Sequence, residues 1–171
     1  MGEVRAVPTS KPRGAKTKAP AQRWSPGAVV RIPLGGGFFG YGQMLTSPEY
    51  AFFDVRTSSD LTAEAAVGYP LLFRLWVMRY AHSKGRWLKV GASDVAPALA
   101  EPVQRFNQDP ISGVIRITID GFSGPIGSVA DCENLECAAV WDPEHVESRL
   151  RDHFEGRPNP FVRSLRPRSR R

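Results

Sequence analysis

The feature that most constrains this chain is the alternation of its apolar residues in short runs that glycine and proline keep cutting off. Val30, Ile32 and Leu34 share one face of an extended segment, while Val29, Arg31 and Pro33 take the other. Gly35-Gly36-Gly37 then makes a turn, Phe38 to Leu45 returns as a second strand, and Thr46-Ser47-Pro48 leads into a third, Tyr50 to Val55. Fifteen prolines and sixteen glycines in 171 residues make about 18% of the chain, against roughly 12% in average usage. Breakers at that density suit many short strands and turns rather than a helix bundle. A chain of this length forms one domain with tails and needs neither disulfides nor a structural metal to hold a core.

Further along, Leu61 to Val67 reads as a brief helix. Leu71 to Ala81 is apolar on both faces, as a buried central strand is. His82-Ser83-Lys84-Gly85 would turn it back as a hairpin into Arg86 to Val90. Asp109-Pro110-Ile111-Ser112-Gly113 is a turn by composition. The next run places Ile115, Ile117 and Ile119 inward and Val114, Arg116, Thr118 and Asp120 outward, ending at an Asp120-Gly121 turn. One long helix is expected, Pro143 to Phe154. Asp142 can cap it, Pro143 suits its first position, and Glu144 and Glu147 favour its positive end. Val146, Leu150 and Phe154 form its buried stripe, and Gly156 with Pro158 stops it. The expected fold class is α+β, mostly antiparallel β: a curved sheet or open barrel with one C-terminal helix packed on it.

Net charge divides the chain more sharply than the total of +6 suggests. Residues 1–23 carry six basic side chains against Glu3, and residues 163–171 carry five arginines and no acid. The remaining 24–162 hold 12 basic and 16 acidic residues, so the body is acidic and only its ends are basic. The expected organisation is a disordered basic arm over 1–23, a globular domain over 24–162 and a basic tail over 163–171. The arms could hold nucleic acid weakly by neutralising phosphates, but they lack interleaved aromatics for stacking on bases.

Little in the sequence points to catalysis. Gly35, Gly37 and Gly40 spell a G-x-G-x-x-G, but strand residues follow where a dinucleotide site needs a helix. The three histidines, His82, His145 and His153, form no H-x-H or H-E-x-x-H pair. Arg149 lies one turn from both His145 and His153, and its fixed charge opposes a metal there. Cys132 and Cys137, spaced C-x₄-C, lack two further zinc ligands and read as reduced thiols in a cytoplasmic protein. No apolar stretch approaches the ~20 residues of a membrane span, and no apolar run follows the cationic N-terminus as in a secretion signal. No catalytic residue, metal or cofactor is expected.

The acidic balance concentrates between Asp131 and Arg157, where eight acids meet three arginines. A surface of that sign attracts a basic partner and accelerates encounter with it. Asp131, Glu133, Glu136, Glu144 and Glu147 are the candidate contacts, Asp142 being accounted for as a cap.

Several runs together resemble a bacterial family, the twenty-sixth of the immunity proteins of polymorphic toxin systems. They are Gly27 to Leu34 with Phe39-Gly40-Tyr41-Gly42, Ala51-Phe52-Phe53-Asp54, Leu71 to Met78 with Gly85-Arg86-Trp87, Gln108 to Gly113, and Ala138 to Glu147 continuing through Phe154. The resemblance covers about residues 24–165. It implies a small cytoplasmic protein that binds a cognate toxin and neutralises it without turnover. An acidic surface suits a nuclease toxin, whose groove must be positive to hold phosphates. Some relatives carry the label phosphotriesterase, which implies metal-dependent hydrolysis of organophosphates, and the residues here lack its histidines. The basic arms lie outside the resemblance, and the Gly35–Gly37 turn departs from the polar residues often found there.

Overall fold

The opening alternation becomes β1 (Ala28–Gly35) in the computed structural model, which describes residues 21–119 and 122–169. Residues 1–20 of the expected N-terminal arm, the Asp120-Gly121 turn, Arg170 and Arg171 lie outside the described residues. β1 pairs antiparallel with β2 (Phe38–Met44), which pairs with β3 (Glu49–Phe53), which pairs with β4 (Leu71–Val77). Gly35, Gly36 and Gly37 all have positive φ, so the first hairpin turns through backbone that only glycine adopts freely. The G-x-G-x-x-G letters are therefore a hairpin, continued by strand.

Both faces of this sheet are covered. Val30, Ile32 and Leu34 pack with Tyr50, Phe52 and Leu75 against Val146 and Leu150 of α4 (Pro143–Phe154). Gly40 faces Leu34 and Leu150, and a Cβ there would meet Leu150 Cδ1 at 3.5 Å, an ordinary packing contact. On the opposite face Val29, Tyr41, Ala51 and Phe53 pack against α1 (Ala63–Val67), the short helix expected at that point. Thr62 caps α1 by accepting from the Ala65 amide.

The expected long central strand is shorter and lies nearer the edge. β4 stops at Val77, and Tyr80–Ser83 is a helical turn, α2. No hairpin follows. β5 (Leu88–Ala92) instead pairs with β1 at the far edge, in the order β10-β4-β3-β2-β1-β5, with β10 the two residues Val140–Trp141. The cause is Trp87: its indole is buried against Tyr50 and Phe52, so the chain must cross the sheet to bury it. Gln22 fastens this crossing by donating to the carbonyls of His82 and Trp87 and accepting from the Lys89 amide.

After α3 (Pro97–Ala100) the remaining strands form a second sheet rather than extending the first. It runs β8-β7-β6-β9, with β6 (Gln104–Gln108), β7 (Ile115–Ile119), β8 (Phe122–Gly127) and β9 (Glu136–Cys137). The fold is thus α+β and mostly antiparallel, in two open sheets, with only the two-residue pairings of β9 and β10 parallel. Ile115 and Ile117 pack with Phe106 and Cys132, but Ile119 is 46% exposed because that cluster ends short of it. Thr118, expected outward, is buried, because it pairs with Arg105 on the face that meets the first sheet. A second C-terminal helix, α5 (Pro160–Leu165), joins α4. Asn159 caps it, accepting from the Phe161 and Val162 amides. It carries Arg163, so the expected tail boundary at 163 falls inside a helix.

The sheets are tied by a buried ion cluster. Glu49 accepts from Arg74 at 2.7 Å and from Arg105 at 2.5 Å, and the Arg105 guanidinium lies over the Trp76 ring. Glu49→Gln removes the buried carboxylate that the two guanidinium groups share and is expected to cost about 3–5 kcal/mol in urea unfolding. Leu150→Ala, which empties the space between α4 and the first sheet, should cost about 2–5 kcal/mol. A loss under about 0.5 kcal/mol in either variant would contradict the assigned packing.

Candidate functional site

α4 begins at Pro143 with Asp142 in extended backbone, as its sequence dictates, but the Asp142 carboxylate does not cap it. That carboxylate accepts instead from the Tyr80 hydroxyl at 3.1 Å. The same hydroxyl donates to Glu144 at 2.8 Å. The hydrogen bond to Glu144, with burial and Asp142 adding to it, pushes the phenol above its ordinary pKa, and reciprocally holds Glu144 below the usual carboxylate range. One turn on, Glu147 is buried. It takes a two-pronged contact from Arg86, Nε to Oε1 at 2.7 Å and an Nη to Oε2 at 2.8 Å, and a third bond from the Trp87 indole at 2.9 Å. Arg86 also reaches Glu144 at 2.9 Å. These two candidate contacts therefore fasten the crossing segment to the helix.

Glu136 is engaged in the same manner. Arg149 donates to both its oxygens, and the guanidinium lies over the Phe73 ring at 3.9 Å. Farther along α4 and beyond it, Arg157 pairs with Asp152 and Glu155. Asp131 and Glu133 differ from the other three candidates. Asp131 Oδ2 accepts from the Ser128 amide and hydroxyl, both at 2.7 Å, and these bonds hold its carboxyl below the usual range. Neither Asp131 nor Glu133 has a cationic partner among the described residues, and both are exposed. The five candidates fall in three places: Glu144 and Glu147 on the first turns of α4, Glu136 at Arg149, and Asp131 with Glu133 beside the second sheet.

The groups that could do chemistry are dispersed. His145 stacks on Phe161, His153 meets Asp54 at 3.0 Å, and His82 is buried against the Tyr50 hydroxyl. His145, Arg149, Asp152 and His153, close on a helical projection, each turn to a different partner. Cys132 and Cys137 are free thiols whose pKa burial pushes up. Among the described residues no group of three or more His, Cys, Asp or Glu side chains is placed to hold a metal ion. None of their helices is long and apolar enough to cross a membrane.

Sequence reasoning missed the exposed aliphatic side chains Ile111 and Ile126. Their signal was present in Asp109-Pro110-Ile111-Ser112-Gly113, a turn with an isoleucine at its tip. The chain belongs to the family Immunity protein 26, whose family model matches residues 25–114, from β1 to the turn after β6. No curated protein and no solved structure matches it. Membership places the chain among immunity proteins, whose partner is a cognate toxin, and not among enzymes. The acidic segment 131–157 lies beyond the matched span.

The geometry separates structural acids from free ones. Glu147→Gln should cost about 1–3 kcal/mol in urea unfolding, because it removes the charge that Arg86 and Trp87 converge on. Glu133→Lys should stay within about 0.5 kcal/mol of the parent. Equal losses in the two variants would contradict this division.

Proposed function

We propose that this immunity protein neutralises its cognate toxin by stoichiometric binding in the cytoplasm, through a toxin surface rich in lysine and arginine. Residues 24–162 act as the binding unit. A nuclease toxin fits, since its own groove carries the positive field that holds phosphates. The observation that carries this reading is the placement of Asp131 and Glu133. Arginines of the chain neutralise Glu136, Glu144 and Glu147, whereas these two stay exposed without a cation among the described residues. They are the acids to which the contact is assigned.

The test uses the toxin encoded beside this chain. Adding the protein should abolish toxin activity at one equivalent, with no turnover. Glu133→Lys should slow association severalfold at low salt, and the difference should vanish near 1 M, where the Debye length is about 3 Å. Residual toxin activity at a large excess of the chain would overturn the reading. So would recovery of intact toxin activity over time, which would mean no lasting complex forms. A reversal that associates as fast as the parent would exclude the Glu133 contact alone.

A further inference from the structure

His82 is enclosed by the core, whereas His145 and His153 stand at the surface. It lies on α2 and is 1% exposed. Its Nδ1 is 3.0 Å from the hydroxyl of Tyr50, which is buried on β3. A further wall is Trp24, in the segment that precedes β1. The Trp24 ring meets Tyr50 edge-on at 4.9 Å and His82 edge-on at 5.3 Å. Side-chain hydrogen bonds strap this segment down. The Trp24 indole donates to the Leu45 carbonyl at 3.1 Å, and Gln22 holds the carbonyls of His82 and Trp87 and the Lys89 amide. The Lys89 ammonium donates to the Arg23 carbonyl.

This enclosure suits a neutral imidazole and penalises its cation. With the proton on Nε2, a neutral ring accepts the Tyr50 proton at Nδ1, whereas both nitrogens of the charged ring donate. The phenol must then turn to accept, and its own proton loses its acceptor. The charges that bear on the ring are those of Lys89 on β5 and Arg79 at the head of α2, both cations. From α4, the Glu147 carboxylate reaches the Trp87 indole and is paired with Arg86. Burial foremost, then the two cations, holds the His82 imidazole below its ordinary range. Above about pH 6.5 the ring is neutral whether or not the strap covers it. Below that, an uncovered ring takes up a proton that the covered ring refuses, so falling pH favours the uncovered state. Tyr50 sits in a strand paired on both sides, but Gln22 to Trp24 lie outside both sheets. The strap is therefore the wall that can lift while the sheet stays paired.

We propose that the Gln22–Trp24 strap is a pH-gated latch, closed over neutral His82 and released when that imidazole takes up a proton. Release uncouples Gln22 from the Trp87 crossing and frees the segment that joins residues 1–20 to β1. The latch belongs to the first sheet and is independent of the toxin reading, so its test needs no partner.

Two hydrogens report the strap directly: the Trp24 indole N–H, bonded to Leu45, and the Lys89 amide, bonded to Gln22. NMR on the full chain measures their exchange with solvent between about pH 7.5 and about pH 4.5, corrected for the intrinsic pH dependence of exchange, and titrates the imidazoles alongside. Both hydrogens should lose protection severalfold as the pH falls, while the amides of β3 keep theirs. The midpoint of that loss should coincide with the titration of His82, which should fall below those of the exposed His145 and His153. His82→Gln, neutral at every pH and still able to bond the Tyr50 hydroxyl, should flatten the profile. Constant protection in the parent would overturn the latch, and so would loss of the strap together with β3, which is global unfolding. A midpoint that follows His145 or His153, or an unchanged slope in His82→Gln, would equally exclude it. If His82→Gln does not fold, the match between strap release and the His82 titration in the parent decides alone.

Discussion

Glu49 holds two sheets together that have no reason of their own to meet. Its carboxylate lies buried between Arg74, on the neighbouring strand of the first sheet, and Arg105, on the second. The Trp76 ring face under Arg105 and the Glu101 carbonyl at Arg74 add to the anchoring of the two guanidinium groups. Arg105 also donates to the Arg74 carbonyl, so the strands are registered as well as joined. The second sheet, from which the Ile111 turn and the end of β8 project, is held to the first through this contact and through the pairing of Glu136 with Arg149 on α4. An apolar contact of similar size would hold the sheets as firmly, but with less directional constraint.

The same economy of charge governs α4. Counted along the chain, residues 131–157 are the most acidic stretch. In space, Arg86 comes from 61 residues away to face Glu147, and Arg149 on the helix itself faces Glu136. A charge sum over a segment counts ions without knowing which are already answered. The field reaching solvent is set by the unanswered ones, and within this segment Asp131 and Glu133 are exposed with no cationic partner among the described residues. Burial adds to the distinction: Glu147 is withdrawn from solvent and can contribute little to long-range steering, whereas Glu133 is fully placed to do so.

Local pattern made much of this legible. The first three strands, the Leu61–Val67 helix and the stripe Val146, Leu150 and Phe154 follow from apolar period and from the residues that start and stop elements. Asn159-Pro160 carried the signal of α5 in the same language, a capping residue followed by proline at the first position. What did not show was decided by distant partners. Leu71 to Ala81 reads as one apolar run, yet Ala81 and Trp87 belong to a segment crossing the sheet to bury an indole. Thr118 and Ile119 exchange their expected environments because each face of the second sheet is covered only in part. Asp142 has the identity and position of a helix cap, and a tyrosine 62 residues earlier in the chain claims its carboxylate. Among the candidate contacts, residue type was readable and engagement was not. Asp131 and Glu133 look no different in sequence from Glu136 and Glu147.

The family match crosses from the first sheet into the second. Residues 25–114 supply the whole of β1 to β6 and end in the turn that presents Ile111. That turn projects from a strand whose Arg105 is bonded to Glu49, so the tip inherits the rigidity of the buried cluster through three residues of β6, Phe106 to Gln108. Ile126 and Val129 come from beyond the match, and Ile126 is set in place by the β7–β8 ladder. Gly124 and Pro125 interrupt that ladder. A Cβ at Gly124 would lie 2.2 Å from the Ile117 carbonyl oxygen, and Pro125 has no amide to donate. The strand therefore takes an extra residue between its pairings, which sets Ile126 opposite Arg116. An interrupted edge of this kind also resists pairing with a stray strand.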